Sequence, residues 1–458
     1  MRILLKCPTR SRPQRVIATL GAYIRLASRK DLVGVAVSCD EDDSSMSRNL
    51  VREELQRTLS PVAWNRIFFS KNSSKIEACN ANMSEVDYPW DIVVLVSDDM
   101  VPQVSGWDDT IRNHMLAHFP DTNGILWWND GYQGDKLNTL CIFGRKIYEE
   151  FGHIYHPEYK SLFCDTELTD RCRTDLKDRC MYIPYCIIRH EHPGTGYSQN
   201  NDALYVHNQR FWTQDMMTYI HRKSYPYDWS VLIPTIAGRE GSLRNLLTSI
   251  REKTGRIAPD LRVEFCIDFD NRETSIGAKR QRLLQGAKGK YVSFIDDDDD
   301  ITDAYVEDLV ATIRGNFHVM RLRGQMAEYP FVHSTANTLN MPMANQNTFL
   351  RPPNHLSPML ADIAKLVPFK DATHGEDLEW TMRLSKSGFL QNEYRGPERT
   401  HYLYNLGTRT VNPSIIVTQR TMDYETMLSL LFTPAGAAGP VGTSQGKLRL
   451  TSRGFVSR

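Results

Sequence analysis

Two acidic turns in this chain have the residue types and spacing to bind a divalent cation. Residues 291–300, YVSFIDDDDD, form an apolar strand pattern that ends in five consecutive aspartates, and a weaker copy, IVVLVSDDM, spans residues 92–100. Adjacent carboxylates repel one another, and a hard cation such as Mg²⁺, Mn²⁺ or Ca²⁺ among their oxygens lowers that penalty. Open α/β sheets bind ligands at the carboxyl ends of their strands. The pattern therefore predicts a metal-assisted site, with a solvated acidic loop as the alternative.

The two halves of the chain carry the same landmarks in the same order. Each half begins with a strand that ends in Pro-Thr, and continues through a helix, a strand with carboxylates at its end, a second helix and the acidic-turn strand. Farther on, an acid triplet, an arginine and a histidine recur at nearly equal spacing. The matched residues are Asp165, Glu167, Arg171 and His190 in the first half, and Asp377, Glu379, Arg383 and His401 in the second.

This repetition predicts two copies of one α/β domain. We expect the first copy at residues 1–225 and the second at residues 226–432. Residues 433–458 are rich in glycine, alanine, proline and serine, so we expect a disordered tail there.

Length, charge and hydropathy are those of a soluble protein with more than one domain. The chain has 458 residues, of which 41% are hydrophobic and 24% charged. Lys plus Arg and Asp plus Glu number 55 each, so no overall field attracts nucleic acid or an anionic membrane. No apolar run approaches about eighteen residues, and the N-terminus reads as a strand. We therefore expect a cytoplasmic protein that does not act on a membrane.

This ordered set of motifs resembles that of the GT-A glycosyltransferases, particularly the inverting family 2 group. The set occurs twice, and its two occurrences together cover nearly the whole chain. The shared motifs are the Pro-Thr turn, the acid after the second strand, the Asp-x-Asp-like turn, the later Glu-Asp or Asp-x-Glu segment and the downstream histidine. The resemblance implies two tandem Rossmann-like domains. It also implies transfer of a hexosyl or pentosyl group from a nucleotide-diphosphate sugar, with a UDP-sugar favoured, to a hydroxyl with inversion.

The resemblance further implies which residues hold the donor. A divalent cation, Mn²⁺ or Mg²⁺, would bridge the diphosphate as a Lewis acid. Its protein ligands would be Asp298 and His401 in the second copy and Asp99 and His190 in the first, where His192 is a rival. Nucleotide-sugar contacts are expected from strand ends, acidic turns and one helix: Pro8, Thr9, Asp40 and Asp98 in the first copy, and Pro234, Thr235, Asp268, Asp270, Lys279, Arg280, Asp296 and Asp297 in the second. Lys279 and Arg280 could instead decorate a solvated helix face.

An inverting transfer needs one general base that takes the proton of the acceptor hydroxyl. Asp377 in the Gly-Glu-Asp segment and Asp165 in the Cys-Asp segment stand at the motif that would supply it. The alternative for each is an acid in the first turn of a helix, which only stabilises that helix.

The first copy departs from the pattern at two positions. Ser97 stands where the second copy has Asp296, and Cys164 where it has Glu376. Two active sites are favoured because the other motif acids and a histidine persist. The alternatives are one active second domain beside a degenerate binding domain, a nucleotidyltransferase, or a non-catalytic carbohydrate- or metal-binding protein. A nucleotidyltransferase should carry a glycine-rich phosphate loop after the first strand, and neither copy has one.

The sequence is compatible with three kinds of acceptor: a glycan, a small molecule or a modified nucleic acid. The segments SIGAKR (residues 275–280) and FIDDDD (residues 294–299) are similar to those of bacteriophage transferases, for which modified DNA bases are one acceptor. Such an enzyme would work in the host cytoplasm. The neutral charge balance gives a nucleic-acid acceptor no support.

Overall fold

The computed structural model describes residues 1–191, 203–327, 329–337 and 348–405. The chain divides into two compact units, Met1–Lys223 and Ser224–Arg458. Strands and helices alternate in both units, so the predicted α/β class is confirmed. Among the described residues, no helix has the length and apolar character to cross a membrane. His192 and the predicted tail lie outside the described residues.

The first unit contains nine strands and eight α-helices among its described residues. The strands are β1 (Ile3–Thr9), β2 (Val33–Asp40), β3 (Trp64–Ser70), β4 (Ile92–Leu95), β5 (Met100–Pro102), β6 (Ile125–Trp128), β7 (Ile142–Gly144), β8 (Cys180–Ile183) and β9 (Ile188–His190). The helices are α1 (Pro13–Leu26), α2 (Asn49–Leu59), α3 (Lys75–Asn80), α4 (Trp107–His118), α5 (Arg145–Phe151), α6 (Cys164–Arg173), α7 (Ala203–Gln209) and α8 (Trp212–Arg222).

Seven strands of the first unit form one sheet in the order β3-β2-β1-β4-β7-β6-β8. The first four are mutually parallel, as expected from strand–helix–strand units. Strand β7 runs antiparallel to both neighbours. A separate antiparallel pair joins β5 to β9, with Met100 opposite His190. This pair brings the end of the acidic turn beside a strand from much later in the chain.

The second unit contains eleven strands and five α-helices among its described residues. The strands are β10 (Tyr227–Ile236), β11 (Val263–Asp270), β12 (Gly289–Phe294), β13 (Asp300–Ile301), β14 (Val319–Met320), β15 (Leu322–Met326), β16 (Tyr329–His333), β17 (Phe349–Arg351), β18 (Met359–Leu360), β19 (Glu393–Tyr394) and β20 (Tyr402–Tyr404). The helices are α9 (Glu240–Ile257), α10 (Ile276–Gly286), α11 (Asp303–Arg314), α12 (Ala361–Lys365) and α13 (Glu376–Ser387).

Two sheets organise the second unit. One has the order β11-β10-β12-β18-β14-β19, with β10 parallel to β11 and to β12. The other has the order β13-β20-β15-β16-β17 and begins where the five-aspartate turn ends. The acidic turn therefore links the two sheets. Its carboxylates lie at the carboxyl end of β12.

The apolar stripe of α1 builds the core of the first unit. Val16, Leu20 and Tyr23 are fully buried and pack against alternate residues of β1 and β2. Trp107 at the start of α4 is also fully buried, and its indole N–H donates to the carbonyl oxygen of Tyr23 at 2.9 Å. These contacts fix the helices that flank the acidic turn. The parallel strands are thereby held in register at the site.

A charged side chain is buried on the other face of β1, opposite this core. Lys6 on β1 is fully buried, and its ammonium donates to the carbonyl oxygen of Ala78 at 3.0 Å and to the hydroxyl of Ser38. Burial lowers the pKa of Lys6 to about 8, against a smaller opposing effect of nearby thiols. The side chain thus ties helix α3 to the sheet while bearing a desolvation cost.

Replacing Lys6 with methionine should change how the stability of the first unit depends on pH. An unfolded lysine keeps its proton up to about pH 10.4, whereas folded Lys6 loses it near pH 8. Between these values the unfolded chain binds more protons, so the contribution of Lys6 to stability rises with pH. From pH 7 to 10.5 the wild type should gain about 3 kcal/mol relative to Lys6→Met in urea unfolding.

The exposed Lys71 provides the control, because Lys71→Met should leave the pH dependence of unfolding as in the wild type. If the difference in unfolding free energy between the wild type and Lys6→Met were constant across this pH range, Lys6 would keep its proton when buried.

Candidate active site

A cavity of about 710 Å³ opens at the carboxyl ends of β1, β2 and β4 in the first unit. Its walls include the ends of these strands, the start of α3, the start of α6 and helix α7. The lining side chains include basic groups and residues predicted from the sequence as site residues. Among the basic groups are Arg10, Arg15 and Lys75, and among the predicted residues are Asp99, Asp165 and His190.

Asp98 is the buried member of the acidic turn. Its carboxylate lies 3.0 Å from Nη1 of Arg12, and its carbonyl oxygen accepts a hydrogen bond from the hydroxyl of Thr19 at 2.8 Å. Burial raises the pKa of Asp98, and Arg12 partly opposes that rise. Asp98 therefore fixes the turn to α1 and to the loop after β1, and both Asp98 and the next residue line the cavity.

Asp99 is that next residue, and it lies beside His190. The distance from Nε2 of His190 to Oδ2 of Asp99 is 3.7 Å, so their attraction is mainly between charges. Ser97 donates its hydroxyl to Asp99. Burial acts to raise the pKa of Asp99, but His190 and Ser97 outweigh it and hold that pKa well below its usual range. Two residues predicted from sequence as metal ligands are thus brought together.

Asp130 contacts the other side of His190 and was missed from the sequence. Nδ1 of His190 lies 3.4 Å from Oδ2 of Asp130. Burial acts to lower the pKa of His190, but Asp130 and Asp99 outweigh it and raise that pKa to about 9. The signal was an Asn-Asp-Gly turn directly after an apolar strand.

Backbone and side-chain donors hold the Asp130 carboxylate in place. Oδ1 accepts the N–H groups of Tyr132 at 2.9 Å and Gln133 at 2.7 Å, and Oδ2 accepts the hydroxyl of Thr139 at 2.6 Å. The side chain is 2% exposed. An acid held this firmly fixes the position of the imidazole of His190.

Asp165 is the second residue of α6, which begins directly after Phe163 in the left-handed region at φ +62°. Burial raises the pKa of Asp165, and the ammonium of Lys75 opposes that rise. Glu167, two residues later, accepts Nη2 of Arg222 at 2.8 Å and the hydroxyl of Tyr159 at 2.5 Å. Of the two acids in this motif, Asp165 lines the cavity and Glu167 ties α6 to α8.

Asp40 at the end of β2 also lines the cavity. It accepts Nη1 of Arg10 at 2.8 Å and the side-chain amide of Asn72 at 2.9 Å. Arg10 follows the predicted Pro8-Thr9 pair and is itself a cation that the sequence reasoning did not single out. The strand-end carboxylate therefore sits next to a basic group at one end of the cavity.

In the second unit each of the five carboxylates of the acidic turn has a protein partner, and Asp297 and Asp298 share Arg239. The pairs are Asp296 with Arg280 at 3.6 Å, Asp297 with Thr235 at 2.6 Å and Arg239 at 2.7 Å, Asp298 with Arg239 at 3.1 Å, Asp299 with Tyr402 at 2.6 Å, and Asp300 with Ser249 at 2.7 Å. The strand and turn geometry spreads the side chains apart. These contacts offset part of the repulsion within the run, while burial and the charges of Asp298 and Asp297 still act to raise the pKa of Asp296.

One ion pair recurs in both units. Arg239, in the loop after β10, pairs with Asp297. In the same way Arg12, in the loop after β1, pairs with Asp98. The left-handed residue before the acid motif also recurs, since Gly375 at φ +73° precedes α13. These contacts agree with the alignment of the two copies at these positions.

Lys279 and Arg280 are buried, so the alternative of a solvated helix face is wrong for both. They are 3% and 6% exposed. Lys279 donates to the carbonyl oxygen of Thr235 at 2.7 Å and pairs with Asp270, and Arg280 pairs with Glu376 at 2.7 Å.

The remaining acids of the second unit occupy different settings. Asp268 pairs with Arg282 at 2.8 Å near the surface. Asp377 is the second residue of α13, and its Oδ2 lies 3.8 Å from Nη2 of Arg351. Burial raises the pKa of the neighbouring Glu376, against an opposing effect of Arg280. Asp377 thus has the helix position of Asp165 with an arginine nearby.

His401 points away from the acidic turn. Its Nδ1 accepts the backbone N–H of Arg323 at 3.0 Å, so its Nε2–H donates to Asp308 at 2.8 Å. The strand register explains the difference from His190: β20 pairs Ile301 with Tyr402, and the side chain of Tyr402 bonds to Asp299. Because side chains alternate along a strand, the preceding histidine faces α11.

Among the described residues, no cluster of three or more His, Cys, Asp or Glu side chains is arranged to hold a metal ion. Asp99 and His190 form the pair that fits best, because carboxylate oxygen and imidazole nitrogen are both accepted by Mn²⁺. A cation there would need further ligands from a bound molecule or from water.

Comparisons with known proteins find partial matches to solved structures at low identity. No family model and no curated protein matches the chain. Residues 1–349 of S. aureus TarS match at 17% identity and a TM-score of 0.29, over 39% of this chain and 60% of that one. A mannosyltransferase from Pyrobaculum calidifontis, in complex with GDP-Man and Mn²⁺, matches at 16% and 0.37, over 48% and 63%.

A Drosophila β1,4-galactosyltransferase 7 variant, in complex with manganese, UDP-Gal and xylobiose, matches at 12% identity and a TM-score of 0.29, over 45% of this chain and 79% of that one. The match spans less than two thirds of the length of TarS 1–349 and of the mannosyltransferase. Similarity at these identities and TM-scores assigns no residue role and no activity to this chain.

Gly277→Ala should destabilise the second unit and disturb its site. A Cβ at this position would lie 1.9 Å from the carbonyl oxygen of Lys370, because the N–H of Gly277 donates to Ala372 at 3.0 Å. Helix α10 must then shift, at a cost of about 1–3 kcal/mol. Chemical unfolding of the second unit measures the loss.

Gly286 at the end of the same helix is the matched control. A Cβ there meets nothing within 4 Å, so Gly286→Ala should be neutral or stabilise by up to about 1 kcal/mol. Equal effects of the two substitutions would contradict the close approach at Gly277.

Proposed function

We propose that this chain is a metal-dependent glycosyltransferase with two GT-A-type domains in tandem, residues 1–225 and 226–432. It moves a sugar from a nucleotide-diphosphate sugar to a hydroxyl with inversion. The observation that carries the proposal is the convergence of Asp99, His190 and Asp165 on one cavity, which the basic side chains of Arg10, Arg15 and Lys75 also line. That set contains a cation-binding pair, a candidate base and the charges to bind a diphosphate.

The cavity has the size and charge for a nucleotide sugar. A volume of about 710 Å³ lies within the usual range of ligand sites. Arg10, Arg15 and Lys75 would bind the diphosphate, since arginine matches phosphate geometry and lysine adds a point charge. Asp40, next to Pro8 and Thr9 at the strand ends, would accept hydroxyls of the nucleoside. A UDP-sugar is the first donor to test.

Asp99 and His190 would hold Mn²⁺ or Mg²⁺ in the first domain, and the donor diphosphate would complete the ligand set. Bound there, the cation would supply Lewis-acid stabilisation of the leaving diphosphate. His190 binds a cation only when neutral, and its pKa of about 9 means that cation binding must displace a proton. In the second domain Asp298 is the corresponding ligand, and His401 would have to give up its contact with Asp308.

Asp165 would act as the general base. Burial raises its pKa, which makes its carboxylate a stronger proton acceptor than an exposed aspartate. The acceptor hydroxyl would give its proton to Asp165 as its oxygen bonds to the anomeric carbon, and the bond to the diphosphate would break on the opposite face. Asp377 has the same role in the second domain.

The two domains differ in how near the two predicted metal ligands lie to each other. Cations of both domains already have carboxylate partners, Arg10 with Asp40 and Arg239 with Asp297, and would have to exchange them to meet a diphosphate. Asp99 and His190 already lie together, whereas His401 is bonded to Asp308, so the first domain is the one to test first although its motif is less complete in sequence. A single active domain remains the alternative arrangement.

Donor binding should be metal-dependent and separable between the domains. With Mn²⁺ and a UDP-sugar at about a hundred times its Kd, the domain that binds it should gain about 2.7 kcal/mol and melt several degrees higher. Asp99→Asn should remove the shift of the first domain, and Asp298→Asn that of the second.

Asp175→Asn is the control for these variants, because Asp175 lies on the surface in an ion pair with Arg171 at 3.0 Å. If no nucleotide stabilises either domain with Mn²⁺ or Mg²⁺, a non-catalytic metal- or carbohydrate-binding protein becomes the better description.

Asp165→Asn should separate chemistry from donor binding. The amide keeps the shape of the side chain but cannot take a proton, so the turnover number should fall by about 10²–10⁴-fold. Donor affinity, measured by calorimetry with Mn²⁺, should stay within about threefold of wild type. An unchanged turnover number would mean that Asp165 is only an acid in the first turn of α6.

A further inference from the structure

An apolar face is exposed at the edge of the second unit's first sheet. Strand β11 is the outer strand of that sheet. Ile267 and Phe269, which point to the same face, are 42% and 55% exposed, and Phe265 beside them is partly buried. Natural proteins seldom leave an apolar edge strand open, because it invites pairing with other chains.

The corresponding face of the first unit is closed. Strand β2 pairs with β1 in the same register as β11 with β10, so Val35, Val37 and Cys39 match the three apolar residues of β11. These three side chains of β2 are at most 1% exposed. They pack in one cluster with Leu55 and Leu59, the buried residues of helix α2.

The two units differ in the segment that follows the matched strand, β2 or β11, and leads to the next matched helix, α3 or α10. In the first unit residues 41–74 separate β2 from α3, and they form helix α2 and strand β3. In the second unit only residues 271–275 separate β11 from α10. The second unit therefore lacks the segment that would cover this face from within the same loop.

The sequence beyond the described residues contains a segment with the right pattern. Residues 421–432 read TMDYETMLSLLF, and Tyr424, Met427, Leu428 and Leu431 fall at the i, i+3, i+4, i+7 spacing of one helical face. Its length of twelve residues is close to the eleven of α2. A helix this short is marginal alone in water and needs a surface to pack against.

Position and charge favour this occupant. The last described residue, Asn405, donates its N–H to Asp299 at 2.7 Å, at the carboxyl end of β12 and thus at the same end of the sheet as Phe269. The sixteen residues from there to residue 421 span up to about 50 Å, against about 10 Å for two strand spacings. Arg251 lies over the ring of Phe265 at 5.2 Å, and could meet Asp423 or Glu425.

We propose that residues 421–432 dock as an amphipathic helix on the Phe265, Ile267 and Phe269 face of β11. The segment covers the apolar face of β11 as α2 covers the corresponding face of β2 in the first unit. The proposal is independent of the transferase activity, since it rests on the uncovered face and the sequence pattern.

Hydrogen exchange with mass spectrometry on the full chain tests the docking. Residues 421–432 should be protected in the wild type. Their exchange should be about tenfold faster or more in Phe269→Asp and in Leu428→Asp, because either charge opposes burial. Thr426→Asp, on the opposite side of the predicted helix, and Leu50→Asp, on an exposed side chain of α2, should leave the exchange unchanged.

Cross-linking at position 269 identifies the occupant directly. Benzoylphenylalanine in place of Phe269 should join to residues 421–432 of the same chain, at a yield that does not change on tenfold dilution. Cross-links between two copies, cross-links to another segment, or a wild-type segment without protection would each overturn the proposal.

Discussion

The buried pair of Arg12 and Asp98 is the contact on which the candidate site of the first unit depends. A carboxylate at 9% exposure is costly to bury unless a cation and hydrogen bonds compensate it. The 3.0 Å contact with Arg12 supplies the cation. With Asp98 held in this way at the wall of the cavity, the turn places its next carboxylate, Asp99, beside His190. The pair thus fixes the position of the acid that contacts the histidine.

The second unit uses the same principle with more charges. Each of its five aspartates contacts an arginine, threonine, tyrosine or serine side chain. Burial raises the pKa of Asp299 to about 8, with the charge of Asp296 adding to that rise. A long acidic run therefore provides structure as well as potential ligands. In the shorter run of the first unit, Asp98 holds the turn through Arg12, and Asp99 lies beside His190.

The sequence was sufficient for the parallel strands β1, β2, β4, β10, β11 and β12 and for the acids at their ends. Apolar runs that stop at a carboxylate, as at Asp40 and Asp99, identify a buried strand and its site end without any tertiary knowledge. It was insufficient for contacts that depend on register between distant strands. Spacing along the chain aligned His401 with His190, yet strand pairing directs His401 to Asp308. Asp130 was missed for the same reason, since only the fold brings it to His190.

The segment that covers the sheet in the first unit also shapes its cavity. Residues 41–74 end in Asn72, Ser73 and Ser74, which line the cavity, and Asn72 donates to Asp40 at 2.9 Å. The second unit replaces that segment with residues 271–275, where Asp270 instead accepts the backbone N–H of Arg272 at 2.9 Å and the hydroxyl of Thr274 at 2.7 Å. The strand-end acid that would meet a nucleoside is therefore flanked by a wall in one unit and by a tight turn in the other. If each unit binds a nucleotide as proposed, this wall would contact the base and ribose in the first unit alone, and the two units would then differ in the nucleotide that they prefer.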